Sequence, residues 1–569
     1  MNSDVDIRLT RAWWMRQVWK VRPAGCATKA VHVACVFVLA SCAAPASRSV
    51  LDGAASGGDC ALPLTVGASV HALEAGTATS ASLTACAWTR VAMRDDPLRR
   101  DRYGLHAVLA LDPTAQEQAA ASDRRRRDGH LKGALDGVPV LLKDNIETQG
   151  ALPTTAGSLA LAANVSQRDS TVAAKLRAAG AVLLGKTNLS EWANFRSGDS
   201  ISGWSGAGGL TRNAFDRNRS ACGSSSGSAV AVAEGIVPAA IGTETDGSVT
   251  CPAALNGLVG LKPTLGLVSR RGVVPLAPSQ DTPGPIAHTV ADAALLLDVI
   301  AGSDPADSVT HDAESRGGRY VDAVNAAADR RMLQGVRLGV LHFAVGSDPR
   351  VAALFEQALE RLRAAGAVLV EIKAIDLTDL RKKESVVLHS EFHAAIDTYL
   401  AHAPASVSSR SLADLISFNK AHVGEEMPYF GQDSFEKSLT ANEDDAYRVS
   451  LLDARRLAGA EGIDAMLSAA HVEALLAPTT RVAWPIDLEE ADPPGDGTGS
   501  ATHLAAVSGY PHLTVPMGLA PQPGTAKGLP VGLSLVGAAW SDARLLALGV
   551  AYEQIRGAFP VAPETNEVR

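Results

Sequence analysis

Short apolar runs that alternate with helix-period segments constrain this chain more than any other feature. Gly137-Val138-Pro139-Val140-Leu141-Leu142-Lys143 is continuous rather than alternating, the pattern of a strand buried on both faces at the centre of a sheet. Similar runs occupy 107–111, 181–184, 336–341, 474–478, 513–516 and 531–536. Between them lie helix-period stretches at 170–179, capped by Gly180, and at 349–365, 384–402, 411–425 and 542–556. Residues 66–94 hold two more, separated at Ala75-Gly76. Such interleaving predicts one large layered α/β domain. An aromatic content of 4% with abundant Gly and Ala suits close-packed layers. A net charge of −9 argues against a nucleic-acid partner. The basic run Arg124–Arg127 reads as a solvated helix end favoured by the helix dipole.

A lysine closing a buried strand is costly unless it has a partner or a task. Two Gly/Ser clusters supply candidates for both. They are Cys222-Gly223-Ser224-Ser225-Ser226-Gly227-Ser228 and Gly242-Thr243-Glu244-Thr245-Asp246-Gly247-Ser248. A serine hydroxyl needs a base to become a nucleophile. Desolvation can lower a lysine's pKa until its neutral amine serves as that base. Lys143, followed by Asp144-Asn145, has the character of such a site. Successive amides over Thr245, Asp246, Gly247 and Ser248 could form a nest for an oxyanion. The alternative base is histidine. His288, His389, His393, His471, His503 and His512 all lack a hydrolase signature around them, and read as surface or satisfied core residues. Gly180-Ala-Val-Leu-Leu-Gly185-Lys186-Thr187 spells a phosphate-binding loop. It follows a helix and holds apolar strand formers at its centre, so nucleotide binding is not expected.

The order, spacing and flanks of Lys143, Ser224 and Ser248 resemble the amidase signature family. The likeness extends through Gly257 to Thr264, Asp281-Thr282-Pro283-Gly284-Pro285 and Pro530-Val531-Gly532-Leu533. It implies a central twisted mixed β-sheet covered by helices on both faces, spanning residues 66–565. It also implies Lys143 as base, Ser224 as relay, Ser248 as nucleophile and backbone N–H groups of Thr245 to Ser248 as the oxyanion site, with no cofactor or metal. Departures from the broad pattern narrow the reading. Asp246 and Thr250 stand where the family commonly has Gly and Arg, and Cys222 and Ser226 replace glycines. With Asn188-Leu-Ser-Glu-Trp-Ala-Asn194-Phe195-Arg196 and Glu425-Glu426-Met427-Pro428, these variants resemble the bacterial peptide-amidase branch. The implied reaction is hydrolysis of C-terminal peptide amides with release of ammonia, Asn194 and Ser226 being candidate substrate-binding residues. Aryl or aliphatic acylamidase activity, the glutaminase-like subunit of a tRNA amidotransferase, and a non-catalytic peptide-binding lipoprotein are the competing readings. A monomer is expected, with residues 380–440 shaping the pocket.

The N-terminus carries a second message. An apolar run from Ala30 follows Lys20, Arg22 and Lys29 and is too short to span a bilayer. It ends in Leu39-Ala40-Ser41-Cys42, which resembles the bacterial lipobox. Residues 1–41 are therefore expected to be a lipoprotein signal peptide, with translation starting at Met1 or Met15. Cys42 is the expected lipidation site and residues 42–65 a flexible tether, placing the domain on the periplasmic face of a membrane. Among the seven cysteines, Cys60 and Cys86 are candidates to pair in an oxidising compartment. Cys222 and Cys251 are expected to be small buried hydrophobes.

Overall fold

The apolar run ending in Lys143 becomes a central strand, and the sheet is laid out around it. The computed structural model describes residues 60, 62–95, 104–327, 330–493, 498–523 and 527–562. The expected signal segment, Cys42 and most of the tether lie outside these residues. The first strands are β1 (Val108–Leu111), β2 (Pro139–Lys143) and β3 (Val182–Thr187), followed by the short pair β4 (Trp204–Ser205) and β5 (Gly209–Leu210). Then come β6 (Ala239–Glu244), β7 (Val259–Lys262) and β8 (Thr282–Ala287). The rest are β9 (Arg337–Val340), β10 (Val368–Glu371), β11 (Ala474–Pro478), β12 (His512–Ala520) and β13 (Leu529–Val536). All but β4 and β5 join one 11-stranded sheet in the order β1-β3-β2-β6-β8-β7-β12-β13-β11-β9-β10.

The sheet is mixed. β3, β2 and β6 run parallel, as do β11, β9 and β10, while the strands between them pair antiparallel. Every residue of β2, β3, β6, β7 and β8 is buried. Successive strand side chains face opposite sides, so helices must cover both faces of this part of the sheet. The helix Ser226–Ala233 is buried along its whole length, as a helix packed on all sides must be. Smaller apolar clusters lie outside the main core. One gathers Leu380, Ala454, Ile463 and Leu504 against β11, and another packs Trp192, Phe392, Ile396, Leu415 and Phe435 together.

Six of the described strands were not apparent in the sequence pattern: the short pair β4 and β5, and β6, β7, β8 and β10 of the main sheet. β8 contains Pro283 and Pro285, which normally argue against a central strand. They are tolerated because β8 pairs with β7 only at Ile286 and Ala287, so neither proline interrupts that ladder. The Arg124–Arg127 run ends the helix Ala115–Arg127, but it is not merely solvated. Arg125 pairs with the buried Asp136 at 2.7 Å, and Arg126 donates to the Asp136 carbonyl at 2.9 Å. Lys186 lies within β3, where it donates to the Ile146 carbonyl at 2.6 Å and to Thr154 Oγ1 at 2.8 Å. Its ammonium therefore serves the fold.

Candidate active site

Lys143 is the last residue of β2, and Thr243 lies one residue before the end of its parallel neighbour β6. At the ends of these neighbouring strands the lysine amine meets three oxygens. Its Nζ lies 2.7 Å from Ser224 Oγ, 2.9 Å from Thr243 Oγ1 and 3.2 Å from the Thr243 carbonyl. Asn145 Nδ2 also donates to Thr243 Oγ1 at 2.9 Å, fixing the acceptor from a second side. Lys143 is fully buried. Desolvation lowers its pKa to about 7, against the opposing pull of the Asp281 and Glu244 carboxylates. A neutral amine is thus well populated near neutral pH.

Ser224 follows Gly223 through a cis peptide bond, immediately before the helix Ser226–Ala233. Ser248 sits on the loop between β6 and the helix Thr250–Leu255. The Ser225 N–H donates to the Ser248 carbonyl at 3.0 Å, which holds the two serine loops together. Among the described residues no hydrogen bond joins the Ser224 and Ser248 hydroxyls. The loop turns at Gly247, whose φ of 77° lies in the left-handed region that glycine adopts at no steric cost. Glu244 braces the turn from below: its Oε2 accepts from the N–H groups of Val249 at 2.8 Å and Thr250 at 2.9 Å. The N–H groups of Asp246, Gly247 and Ser248 donate to no acceptor among the described residues, so they remain available to an oxyanion.

A cleft opens beside this cluster, lined by Asn145, Trp192, Thr243, Thr245, Val274 and Leu276 among others. One wall is the short turn Glu191–Asn194, in which Trp192, Ala193 and Asn194 all have positive φ. Three successive non-glycine residues in that region are costly and need support from their surroundings. Asn194 is half-buried and donates to Ser202 Oγ at 2.9 Å; it does not line the cleft. Ser226 is fully buried at the start of its helix, its hydroxyl without a partner among the described residues, and it too lies off the cleft wall.

The two distant motifs noted in the sequence meet here. Arg196, fully buried, pairs with Glu191 and lies 3.9 Å from Glu426, while its guanidinium stacks 4.2 Å from the Phe430 ring. Glu426 Oε1 in turn accepts from the Leu159 N–H at 2.7 Å. Burial and the facing Glu426 raise the Glu191 pKa well above the usual carboxylate range.

The cysteine expectation needs correction. Cys222 and Cys251 are joined in a disulfide, their Cα atoms 6.0 Å apart, so they tie the Ser224 loop to the helix that follows Ser248. Nothing in their spacing announced this, because proximity comes from the packing of two loops rather than from local sequence. Cys60 and Cys86 form a second disulfide.

The residues that sequence reasoning missed are those that hold the nucleophile loop. Thr245 Oγ1 donates to Asp281 Oδ1 at 2.6 Å, and Gln280 Nε2 donates to the Thr245 carbonyl at 3.1 Å. His503 Nδ1 lies 3.0 Å from Asp246 Oδ2 and 3.3 Å from Glu384 Oε2. Asp246, Glu384 and His503 bring three potential metal-ligand atoms within 4.8 Å of one another, but the imidazole is already shared between the two carboxylates.

The family description "Amidase" matches residues 103–546. A probable amidase from Arabidopsis thaliana is 35% identical over 79% of this chain and 83% of its own length. A glutamyl-tRNA(Gln) amidotransferase subunit from Chloroflexus aurantiacus is 36% identical over 86% of this chain and 96% of its own. Among solved structures, the native peptide amidase from Stenotrophomonas maltophilia superposes with a TM-score of 0.79 and 47% identity, covering 88% of this chain and 99% of that one. A peptide amidase bound to the competitive inhibitor chymostatin gives 0.80 and 48% over the same shares.

Proposed function

The chain belongs to the amidase family and is a hydrolase of amide C–N bonds; on that premise we propose that it removes the terminal amide from peptide C-termini through a Lys143–Ser224–Ser248 relay. The observation that carries the relay is the 2.7 Å approach of a fully buried Lys143 amine to Ser224 Oγ. The neutral amine takes the Ser224 proton as Ser224 takes that of Ser248. Ser248 Oγ then attacks the carboxamide carbon, and the N–H groups of the Thr245–Ser248 loop stabilise the oxyanion. The relay returns its proton to the departing nitrogen, which leaves as ammonia. Water then opens the acyl-enzyme by the same path in reverse.

The peptide-amide assignment is supported by the 47% identity to a peptide amidase over 99% of that chain. It is supported also by the convergence of the Glu191–Arg196 and Glu426 segments beside the cleft. We place this activity outside the cytoplasm, with Cys42 as lipid anchor. Two disulfides among the described residues favour an oxidising compartment.

The test is ammonia release from C-terminally amidated dipeptides, run beside aryl and aliphatic amides, together with fluorophosphonate labelling. Wild type should prefer the dipeptide amides and label covalently. Ser248→Ala should do neither, and labelling that persists in it would remove Ser248 as nucleophile. Palmitate incorporation should be lost in Cys42→Ala.

A further inference from the structure

Asp246 stands in the nucleophile loop at a position where the family resemblance implied glycine, and its side chain is engaged. Starting from Thr245, a chain of contacts leaves the loop and returns to it one residue later. The Thr245 carbonyl accepts from Gln280 Nε2 at 3.1 Å, and the same nitrogen donates to Glu384 Oε1 at 3.0 Å. Glu384 Oε2 lies 3.3 Å from His503 Nδ1, which lies 3.0 Å from Asp246 Oδ2. The ring therefore closes across the peptide that joins Thr245 to Asp246. It is built from four separate segments: the loop itself, the strand entry at Gln280, the helix Thr378–Ala401 and the helix Ser500–Ser508. Both helices are firmly seated against it. Glu384 and His503 are buried, and a Cβ at Gly247 would meet Thr502 Cγ2 at 3.3 Å.

We propose that Glu384 and His503, acting through Gln280 and Asp246, are positioning residues that orient the Asp246 and Gly247 N–H groups toward the oxyanion, and that this orientation requires His503 in its charged form. The reasoning is geometric. Those N–H groups have no other partner among the described residues, and a misplacement of about 1 Å at a reacting centre can cost roughly a hundredfold in rate. Both carboxylates share one ring nitrogen, Nδ1, and a positive charge on the ring offsets both of theirs. A neutral imidazole keeps the Nδ1–H but leaves the two negative charges uncompensated, and their repulsion then pushes on the loop through Asp246. The charged groups around His503 are Asp246, Glu384 and Arg381. Burial opposes its charge, yet Asp246 and then Glu384 overcome it and lift the imidazole to about 8.

This inference rests on the relay reading above, and the experiment separates the two. kcat and KM for ammonia release from a dipeptide amide are measured from pH 6 to 10 for wild type, His503→Gln, Glu384→Gln and Ser248→Ala, with thermal melts as a check on folding. Wild type should show kcat falling above about pH 8. His503→Gln should lose that alkaline limb and about tenfold or more in kcat, with KM changed less than about threefold. Glu384→Gln keeps an acceptor for Gln280 but removes one charge from His503, so its alkaline limb should move to lower pH. A wild-type profile without the limb, or a limb that stays in place in both variants, overturns the positioning role. If His503→Gln does not fold, the limb in Glu384→Gln decides alone. Turnover surviving in Ser248→Ala would instead overturn the relay.

Discussion

Replacing Lys143 with methionine should abolish turnover while making the protein more stable, with a pH dependence that identifies the cause. Lys143 is fully buried, and burial lowers its pKa from 10.5 to about 7. Between those two values the unfolded chain binds a proton at this residue that the folded chain does not. Stability must therefore rise with pH across the window from about 7 to 10.5, and the whole penalty applies below 7. At 1.36 kcal/mol for each pKa unit, that penalty is about 5 kcal/mol. Methionine has a similar shape and no charge to desolvate. It leaves Ser224 Oγ without its lysine partner, at a cost of about 1–2 kcal/mol. Lys143→Met should accordingly exceed wild type by about 3 kcal/mol at pH 6. The pH-dependent part should shrink by about 3 kcal/mol between pH 6 and 9, leaving the two proteins nearly equal. Urea unfolding at both pH values measures this, and subtracting the two proteins cancels the titrating groups that do not couple to Lys143. Turnover should fall at least a hundredfold, as expected on removing a general base. Wild-type kcat should in turn drop about tenfold per pH unit below 7, as the neutral amine is lost. A stability gap that does not move between pH 6 and 9, or a variant that turns over within tenfold of wild type, would refute the argument.

Other perturbations probe the framework around the site. The Cys222–Cys251 bridge spans 29 positions of sequence, so the loop entropy it removes from the unfolded chain corresponds to about 3–4 kcal/mol. The double variant Cys222→Ala/Cys251→Ala should lose about that much in urea unfolding and should turn over more slowly, since the bridge ties the two serine loops. Glu244→Gln should cost about 1–3 kcal/mol and lower kcat, because the amide oxygen accepts from Val249, Thr250 and the Thr250 hydroxyl without the carboxylate's charge. Arg196→Met strands two buried carboxylates, Glu191 and Glu426, and should destabilise by about 3–5 kcal/mol in the same assay.

How much of this could be read beforehand depended on whether a feature was local. The run ending in Lys143 became β2, and the split at Ala75-Gly76 fell between the helices Val66–Glu74 and Ser80–Arg94, because burial and helix capping leave their mark within a few residues. β8 was hidden by Pro283 and Pro285, whose placement makes sense only once the short pairing with β7 is known. Lys143 and Ser224 are 81 residues apart, and no periodicity links them; the resemblance of their flanks to a known family did. His503 is 257 residues from Asp246 and carried no recognisable flank, so it read as an ordinary histidine. The Cys222–Cys251 pairing was missed for a similar reason. Contacts made by chain crossing have no local signature.

One apparent contradiction in the site resolves when each carboxylate is followed to its donors. Asp281 and Glu244 both pull the Lys143 pKa upward, and a base beside two buried carboxylates should stay protonated. Both groups are already engaged. Glu244 Oε2 accepts from two N–H groups and a hydroxyl at the start of the helix Thr250–Leu255, while Asp281 accepts from Leu276, Ala277 and Thr245. Among the described residues neither carboxylate is hydrogen-bonded to the lysine, whose hydrogen bonds go to Ser224 and Thr243. Neutral hydroxyl and carbonyl oxygens stabilise an ammonium far less than a direct ion pair, so desolvation prevails and the amine remains available. The same carboxylates that shape the nucleophile loop are thus kept from silencing its base.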